Sequence, residues 1–536
     1  MSTPAAFPQS LRFHEGGPLD TASRRVRAAA ERVARSPRLP SVAIGAFAAG
    51  TALGWGVLTG WLTPRGPLTT SAALTSIVVS VAVGVLAGAA LRSRWAILAA
   101  PVAFAIGVEV TRLGVDGPTV DGIHTSEYGL IALVVGRGFH ALVALVPLAL
   151  GATFGAALAR RLLTRGEAFD TPSRKIALWT RRGVATAAAI ALTTLAVGLA
   201  RPAQTDAITG PDGEKVAGSI AELTSVEIGG HDLAMMIRGH DADAPVLLFL
   251  AGGPGGSEMG AMRNHLPELE EHFVVVTWDQ RGTGKSYTEL DPTSTLTLEG
   301  AVSDTIEVTE YLRDRFDRDR IHLVGQSWGS ILGVLAAQQH PEMYASFTGT
   351  GQMVSPLETD TIFWEDTLAW ARANGDDGLV EELTSIGPPP YENFLHYETA
   401  LSHEHEVYPY DHSQNSEGEG GFSENLLEEE YTLTEQVHLL GAFMDTFTTL
   451  YPQIQHIDFR LDAPSLDVPV FFAQGTHEAD GRAEPFAQWY EMLDAPVKEL
   501  VVLDTSGHRP LFEQPDEFVD FMVDVVLPAT GGGGDT

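Results

Sequence analysis

Uncharged apolar stretches recur through the first two hundred residues at a length fitted to a lipid bilayer, and they restrict the fold more than any other feature. Residues 41–63 are 23 positions without a charge, 71–91 are 21, and 138–159 hold only His140 as a titratable group. Residues 95–108 run into Glu109, and 183–200 add 18 uncharged positions. About 20 apolar residues in a helix cross the hydrocarbon core, where the backbone must satisfy its own hydrogen bonds. The pattern predicts about five transmembrane helices within 41–200, behind a basic tail at 1–40. That tail has no apolar h-region at its start, so it does not read as a cleavable signal peptide.

Loop charges give the expected orientation. Arg24, Arg25, Arg27, Arg32, Arg35 and Arg38 precede the first span, Arg92 and Arg94 follow the second, and seven basic residues fall between 160 and 182. The loops at 64–70 and 111–130 are poor in positive charge. Basic loops stay inside, so five spans predict a multi-pass plasma-membrane protein with a cytoplasmic N-terminus and an extracytoplasmic remainder. A four-span count puts those seven basic residues on the wrong face. Glu109, Arg112, Arg137 and His140 fall near the outer ends of spans three and four. A Glu109–Arg137 pair at the interface accounts for them; a transport or sensing role is the other reading.

Charge marks the next boundary. Residues 1–204 carry 20 Lys+Arg against 9 Asp+Glu, and the remainder 14 against 60, so +11 gives way to -46. The acidic part would repel a phosphate backbone, which argues against nucleic acid as a partner. A dense acidic surface suits a saline habitat, but an ordinary acidic surface explains it as well. Zero cysteines exclude disulfides, thiolate metal sites and a cysteine nucleophile.

From about residue 220 short β-rich runs alternate with helical stretches. Residues 224–228 and 231–237 flank Gly229-Gly230 as a hairpin. Residues 246–250, 273–278, 321–324, 346–350, 468–473 and 499–503 read as buried strands, with helices at 298–316 and 484–493 among those between them. This predicts an α/β fold, a mostly parallel, doubly wound sheet, behind the all-α transmembrane bundle. The rhythm stops at 355–466, an acidic, aromatic stretch with helical patches at 359–374 and 426–448 and a loop at 413–421, which reads as a cap inserted between core halves 205–354 and 467–530. Residues 531–536 read as a flexible tail.

Gly325-Gln326-Ser327-Trp328-Gly329 follows the apolar run 321–324 and precedes a helix-like run. A G-x-S-x-G pentapeptide between strand and helix puts the serine on a sharp turn above the sheet. A serine hydroxyl needs a base, and the base needs an orienting acid; in this architecture they follow in the order serine, acid, histidine. His508 lies just after the last strand, and Glu478 just after the preceding one, with Asp480 as the other candidate acid. The Trp328 amide is one expected oxyanion donor. The second comes from Ala251-Gly252-Gly253-Pro254-Gly255-Gly256, with Gly253 preferred over Gly252. Gly284-Lys285-Ser286 is not a phosphate loop, because Asp279 stands where that motif needs glycine. No cluster has metal-ligand spacing, and His403-Glu404-His405-Glu406 reads as solvated, so neither metal nor cofactor is expected.

Gly252-Gly253-Pro254-Gly255, Trp278-Asp279-Gln280-Arg281-Gly282-Thr283-Gly284-Lys285-Ser286, the Ser327 pentapeptide, and Gly507-His508 with Phe512-Glu513-Gln514-Pro515 resemble the signature set of the proline iminopeptidase family of α/β-hydrolases. The resemblance covers residues 220–528. It implies a cofactor-free serine aminopeptidase that removes N-terminal residues, often proline, from short peptides through an acyl-enzyme, with acidic residues beneath a helical cap meeting the substrate amine. Ala251 replaces the family's usual histidine, and the family's Glu-Asn-His-Tyr-Phe cap segment has no counterpart. Glu365, Glu381 and Glu382 in the cap are the candidates to replace it. The same triad suits an ester, lactone or lipid substrate as a second reading. A third gives the function to the membrane bundle and leaves the hydrolase-like domain to bind a ligand.

Overall fold

The computed structural model describes residues 41–531 apart from 66–68, 94, 121–122, 164–171 and 412–426. The basic tail, the loop at 413–421 and all but the first residue of the C-terminal tail lie outside these. The chain forms two compact units, the larger containing residues 59–77, 109–144 and 189–536.

Among the described residues, five helices occupy the N-terminal region: α1 (Ser41–Leu62), α2 (Thr70–Leu91), α3 (Ala96–Thr111), α4 (Glu127–Leu163) and α5 (Pro172–Leu199). Four of them are long and apolar enough to cross a membrane; α3 has 16 residues. At about 1.5 Å per residue α3 falls short of a hydrocarbon core about 30 Å thick. Within the smaller unit, α2 and α4 approach through glycines. A Cβ at Gly84 or Gly88 would collide with the Leu148 or Ala152 carbonyl, and one at Gly151 or Gly155 with that of Val81 or Val85. Small residues let two apolar helices pack backbone to backbone. The apolar run 129–136 lengthens α4 at its start, giving a helix of 37 residues.

Among the described residues there are eight strands: β1 (Ile220–Ile228), β2 (His231–Gly239), β3 (Val246–Leu250), β4 (Val274–Trp278), β5 (Ile321–Gln326), β6 (Tyr344–Thr350), β7 (Val470–Gly475) and β8 (Lys498–Leu503). They form one sheet in the order β1-β2-β4-β3-β5-β6-β7-β8. β1 pairs antiparallel with β2 and β2 with β4, and every later pairing is parallel. Helices cover both faces, so the central strands need apolar side chains on each. Along β3, Val246, Leu248 and Leu250 enter one core cluster, while Leu247 and Phe249 enter another. That is why the strand reads as an unbroken apolar run.

Among the helices that place functional groups are α6 (Leu298–Phe316), α7 (Trp328–Gln339), α8 (Pro356–Asn374), α9 (Asp377–Ile386), α10 (Leu395–Leu401), α11 (Leu433–Leu450) and α12 (Asp480–Met492). Helices α8–α11 form the cap between β6 and β7. A buried polar cluster ties α11 to the loops between the N-terminal helices. Tyr287 and Thr119 donate to Asp445 Oδ2 at 2.6 and 3.1 Å, and Arg65, 2% exposed, lies 3.6 Å from the same oxygen. The Glu109–Arg137 ion pair forms at 3.0 Å.

Candidate active site

Strand β5 ends at Gln326, and Ser327 turns the chain into α7 with φ +52° and ψ -115°. A non-glycine residue held at positive φ marks stored strain and points to a functional position. The flanking glycines make the turn possible. A Cβ at Gly325 would strike the Gly329 carbonyl, and one at Gly329 would strike the carbonyl of Leu250. The Ser327 N–H is tied to the Thr350 carbonyl of β6 at 3.0 Å.

The hydroxyl meets a base. His508, in the loop after β8, sets Nε2 3.0 Å from Ser327 Oγ and Nδ1 2.7 Å from Glu478 Oε2. Glu478 stands three residues past β7, and its other oxygen accepts from Arg482 Nε at 2.6 Å and from the Ala479 N–H at 3.0 Å. Burial alone would raise the Glu478 carboxyl, but Arg482 and His508 overcome it and hold the group at about 2. An acid ionised at neutral pH favours the proton on Nδ1, the tautomer in which the Nε2 lone pair faces the serine. Asp480 does not join this relay: it is the exposed first residue of α12.

The amides expected from the sequence as oxyanion donors differ from each other in availability. The Gly252 N–H is engaged by Glu258 Oε2 at 3.1 Å, whereas Gly253 and Trp328 line the cavity in front of Ser327. Trp328 is itself held from behind, its indole N–H donating to Gln280 Oε1 at 2.9 Å. That contact explains the 278–286 motif as a buttress. Arg281 spends its guanidinium on the carbonyls of Glu289, Pro292 and Thr295. Asp279 accepts from the Lys285 N–H at 2.8 Å and from the Tyr431 hydroxyl at 3.2 Å. Burial raises the Asp279 carboxyl to about 6 against these bonds.

A cavity of about 560 Å³ opens beside Ser327 and His508 and is lined mainly by apolar cap residues, Phe443 and Phe447 among them. Three carboxylates face it: Asp360, Glu398 and Glu404. Burial raises Asp360 to about 7, although Tyr451 and Gln455 donate to it at 2.7 and 3.0 Å. Glu404 turns inward to Arg482, so this part of the 403–406 segment is not solvated as its alternation suggested. Glu398 is 5% exposed and takes the Tyr128 N–H at 2.9 Å on Oε1, while Oε2 has no hydrogen-bond partner among the described residues. Glu365, Glu381 and Glu382 are exposed and lie outside the cavity; Glu382 accepts from Thr399 on the surface. Sequence offered one signal for the correct face of α8. Thr359, Asp360, Phe363 and Thr367 share a helical stripe that is buried, and Glu365 falls off it.

Residues 245–515 match the alpha/beta hydrolase fold family. The chain is 30% identical over 305 residues to "Probable aminopeptidase YbaC" of Bacillus subtilis, covering 56% of this chain and 95% of that protein. It is 31% identical over 119 residues to the proline iminopeptidase of Lactobacillus helveticus, covering 21% of this chain and 37% of that one. The crystal structure of the proline iminopeptidase-related protein TTHA1809 from Thermus thermophilus superposes with a TM-score of 0.43 at 21% identity, over 58% of this chain and 98% of that one. The chain belongs to the α/β-hydrolase family and is proline iminopeptidase-like within it.

Proposed function

We propose that this is a membrane-anchored serine aminopeptidase that releases N-terminal residues from short peptides through an acyl-enzyme. The observation that carries it is the hydrogen-bonded Ser327–His508–Glu478 relay at one wall of a cavity that also holds three carboxylates. A substrate ammonium group at those carboxylates brings the first peptide carbonyl to Ser327. Oγ attacks, His508 Nε2 takes the proton, and the Gly253 and Trp328 amides receive the oxyanion. His508 then gives that proton to the leaving amine. Water, activated by the same imidazole, cleaves the ester and frees the amino acid.

The apolar lining favours a second reading, a carboxylic ester or lactone as substrate for the same relay. Aminoacyl-naphthylamides compared with p-nitrophenyl esters on the detergent-purified full chain separate the two. Amide turnover that disappears in Ser327→Ala supports the aminopeptidase. Ester turnover with no hydrolysis of any aminoacyl amide overturns it. With α3 counted as a short fifth span, the arginine pattern of the loops favours the N-terminus inside and the hydrolase outside, as in a multi-pass plasma-membrane protein.

A further inference from the structure

Helix α4 is longer than a bilayer requires. Its 37 residues extend about 55 Å, against about 30 Å of hydrocarbon, so nearly half of it has no lipid to cross. Yet the first turns are apolar: Gly129, Leu130, Ile131, Ala132, Leu133 and Val134 follow one another. Leu130, Ile131 and Val134 stay 47%, 38% and 61% exposed, while Gly129 and Ala132 are buried. Ala132 is fully buried and belongs to the same core cluster as Phe394, Leu395 and Phe447 of the cap. On the same turns, Tyr128 and Ile131 line the cavity with Ser327 and His508.

We propose that the first turns of α4 are part of the substrate site. The Tyr128 N–H fixes Glu398 so that its unpartnered oxygen meets the substrate amine, and Ile131 with Tyr128 walls the pocket for the N-terminal side chain. The substrate class that follows is a peptide with a large apolar N-terminal residue, leucine or phenylalanine, rather than proline. At about 560 Å³ the cavity falls in the ~300–1,000 Å³ range of sites that enclose drug-sized ligands. A pyrrolidine ring leaves most of it empty, while a branched or aromatic side chain meets Ile131 and Phe447. The proposal rests on the aminopeptidase reading for its amine contact, but the apolar wall does not depend on the bond cleaved.

The test uses the full chain in detergent. Wild type is expected to prefer leucyl- over prolyl-naphthylamide. Ile131→Trp fills the wall and is expected to lower the leucyl-to-alanyl ratio of kcat/KM by about tenfold or more. Leu130→Trp, on a neighbouring residue that does not line the cavity, is expected to leave that ratio unchanged. Position 128 separates the amine contact from the wall. Proline is tolerated in the first turn of a helix, so Tyr128→Pro removes the N–H, whereas Tyr128→Ala removes only the side chain. KM for leucyl-naphthylamide is expected to be about tenfold higher in the proline variant than in the alanine variant. Equal KM values overturn the amine contact. A ratio unmoved by Ile131→Trp, or moved equally by Leu130→Trp, overturns the wall. If no aminoacyl amide is cleaved, the aminopeptidase reading and the amine contact fail together. The p-nitrophenyl octanoate-to-acetate ratio in Ile131→Trp then decides the wall alone.

Discussion

Glu478→Gln isolates what the buried acid does. Arg482 Nε at 2.6 Å and the Ala479 N–H at 3.0 Å both converge on Oε1, while Oε2 faces His508 Nδ1 at 2.7 Å. Glutamine has one oxygen, and it must stay with the two donors. Turning the amide round leaves both unmet in a buried site, a cost of roughly 2–6 kcal/mol. The amide NH2 therefore faces Nδ1, which has to accept, and the ring proton moves to Nε2. It now points at Ser327 Oγ, and the imidazole has no lone pair there to take the serine proton. Loss of the correct tautomer in a Ser–His–acid triad lowers kcat by about 10⁴. The side chains are isosteric and Arg482 keeps Glu404, so the fold is expected to persist. The assay is kcat of the full chain on its best naphthylamide or p-nitrophenyl ester, with a thermal melt beside it. A folded Glu478→Gln chain that keeps more than about a tenth of wild-type kcat refutes the reasoning.

Asp360 titrates at about 7 in the folded chain against 3.8 for a free side chain, so folding favours its proton and stability falls as pH rises between those values. Asp360→Asn is expected to gain Tm over wild type at pH 8 relative to pH 4; an equal difference at both pH values contradicts the shift. Gly329→Ala drives a Cβ into the Leu250 carbonyl beneath the serine turn and is expected to cost at least about 1–3 kcal/mol, read by thermal unfolding, together with most activity. Because the chain has no cysteine, Lys215→Cys on the exposed loop before β1 reports sidedness. A membrane-impermeant maleimide is expected to label it on intact cells, and labelling only after lysis contradicts the topology.

Much of the architecture was legible because its signals are local. A parallel strand buried on both faces reads as an apolar run, and the ends of β5, β7 and β8 could be found that way. Ser327, Glu478 and His508 lie next to those ends, so their meeting follows from sheet order. The cap was different. Asp360, Glu398 and Glu404 come together only when α8, α10 and the turn after it fold over the sheet, and no spacing in the sequence encodes that. Acidic residues are so frequent here that Glu365, Glu381 and Glu382 looked equivalent until helix faces were assigned. Arg482 was hidden for the same reason, since its partner Glu404 is 78 residues away. The role of 129–136 also needed three dimensions, because an apolar run reads alike beneath lipid and beneath a protein cap.

The claim that Ser327 is the nucleophile, activated by His508, has one most direct measurement. The purified full chain is treated with a fluorophosphonate and digested, and the modified peptide is sequenced by mass spectrometry. A single adduct is expected on Ser327, formed far more slowly in His508→Ala and absent in Ser327→Ala. An adduct on another residue, or labelling at Ser327 that is equally fast without the imidazole, contradicts it.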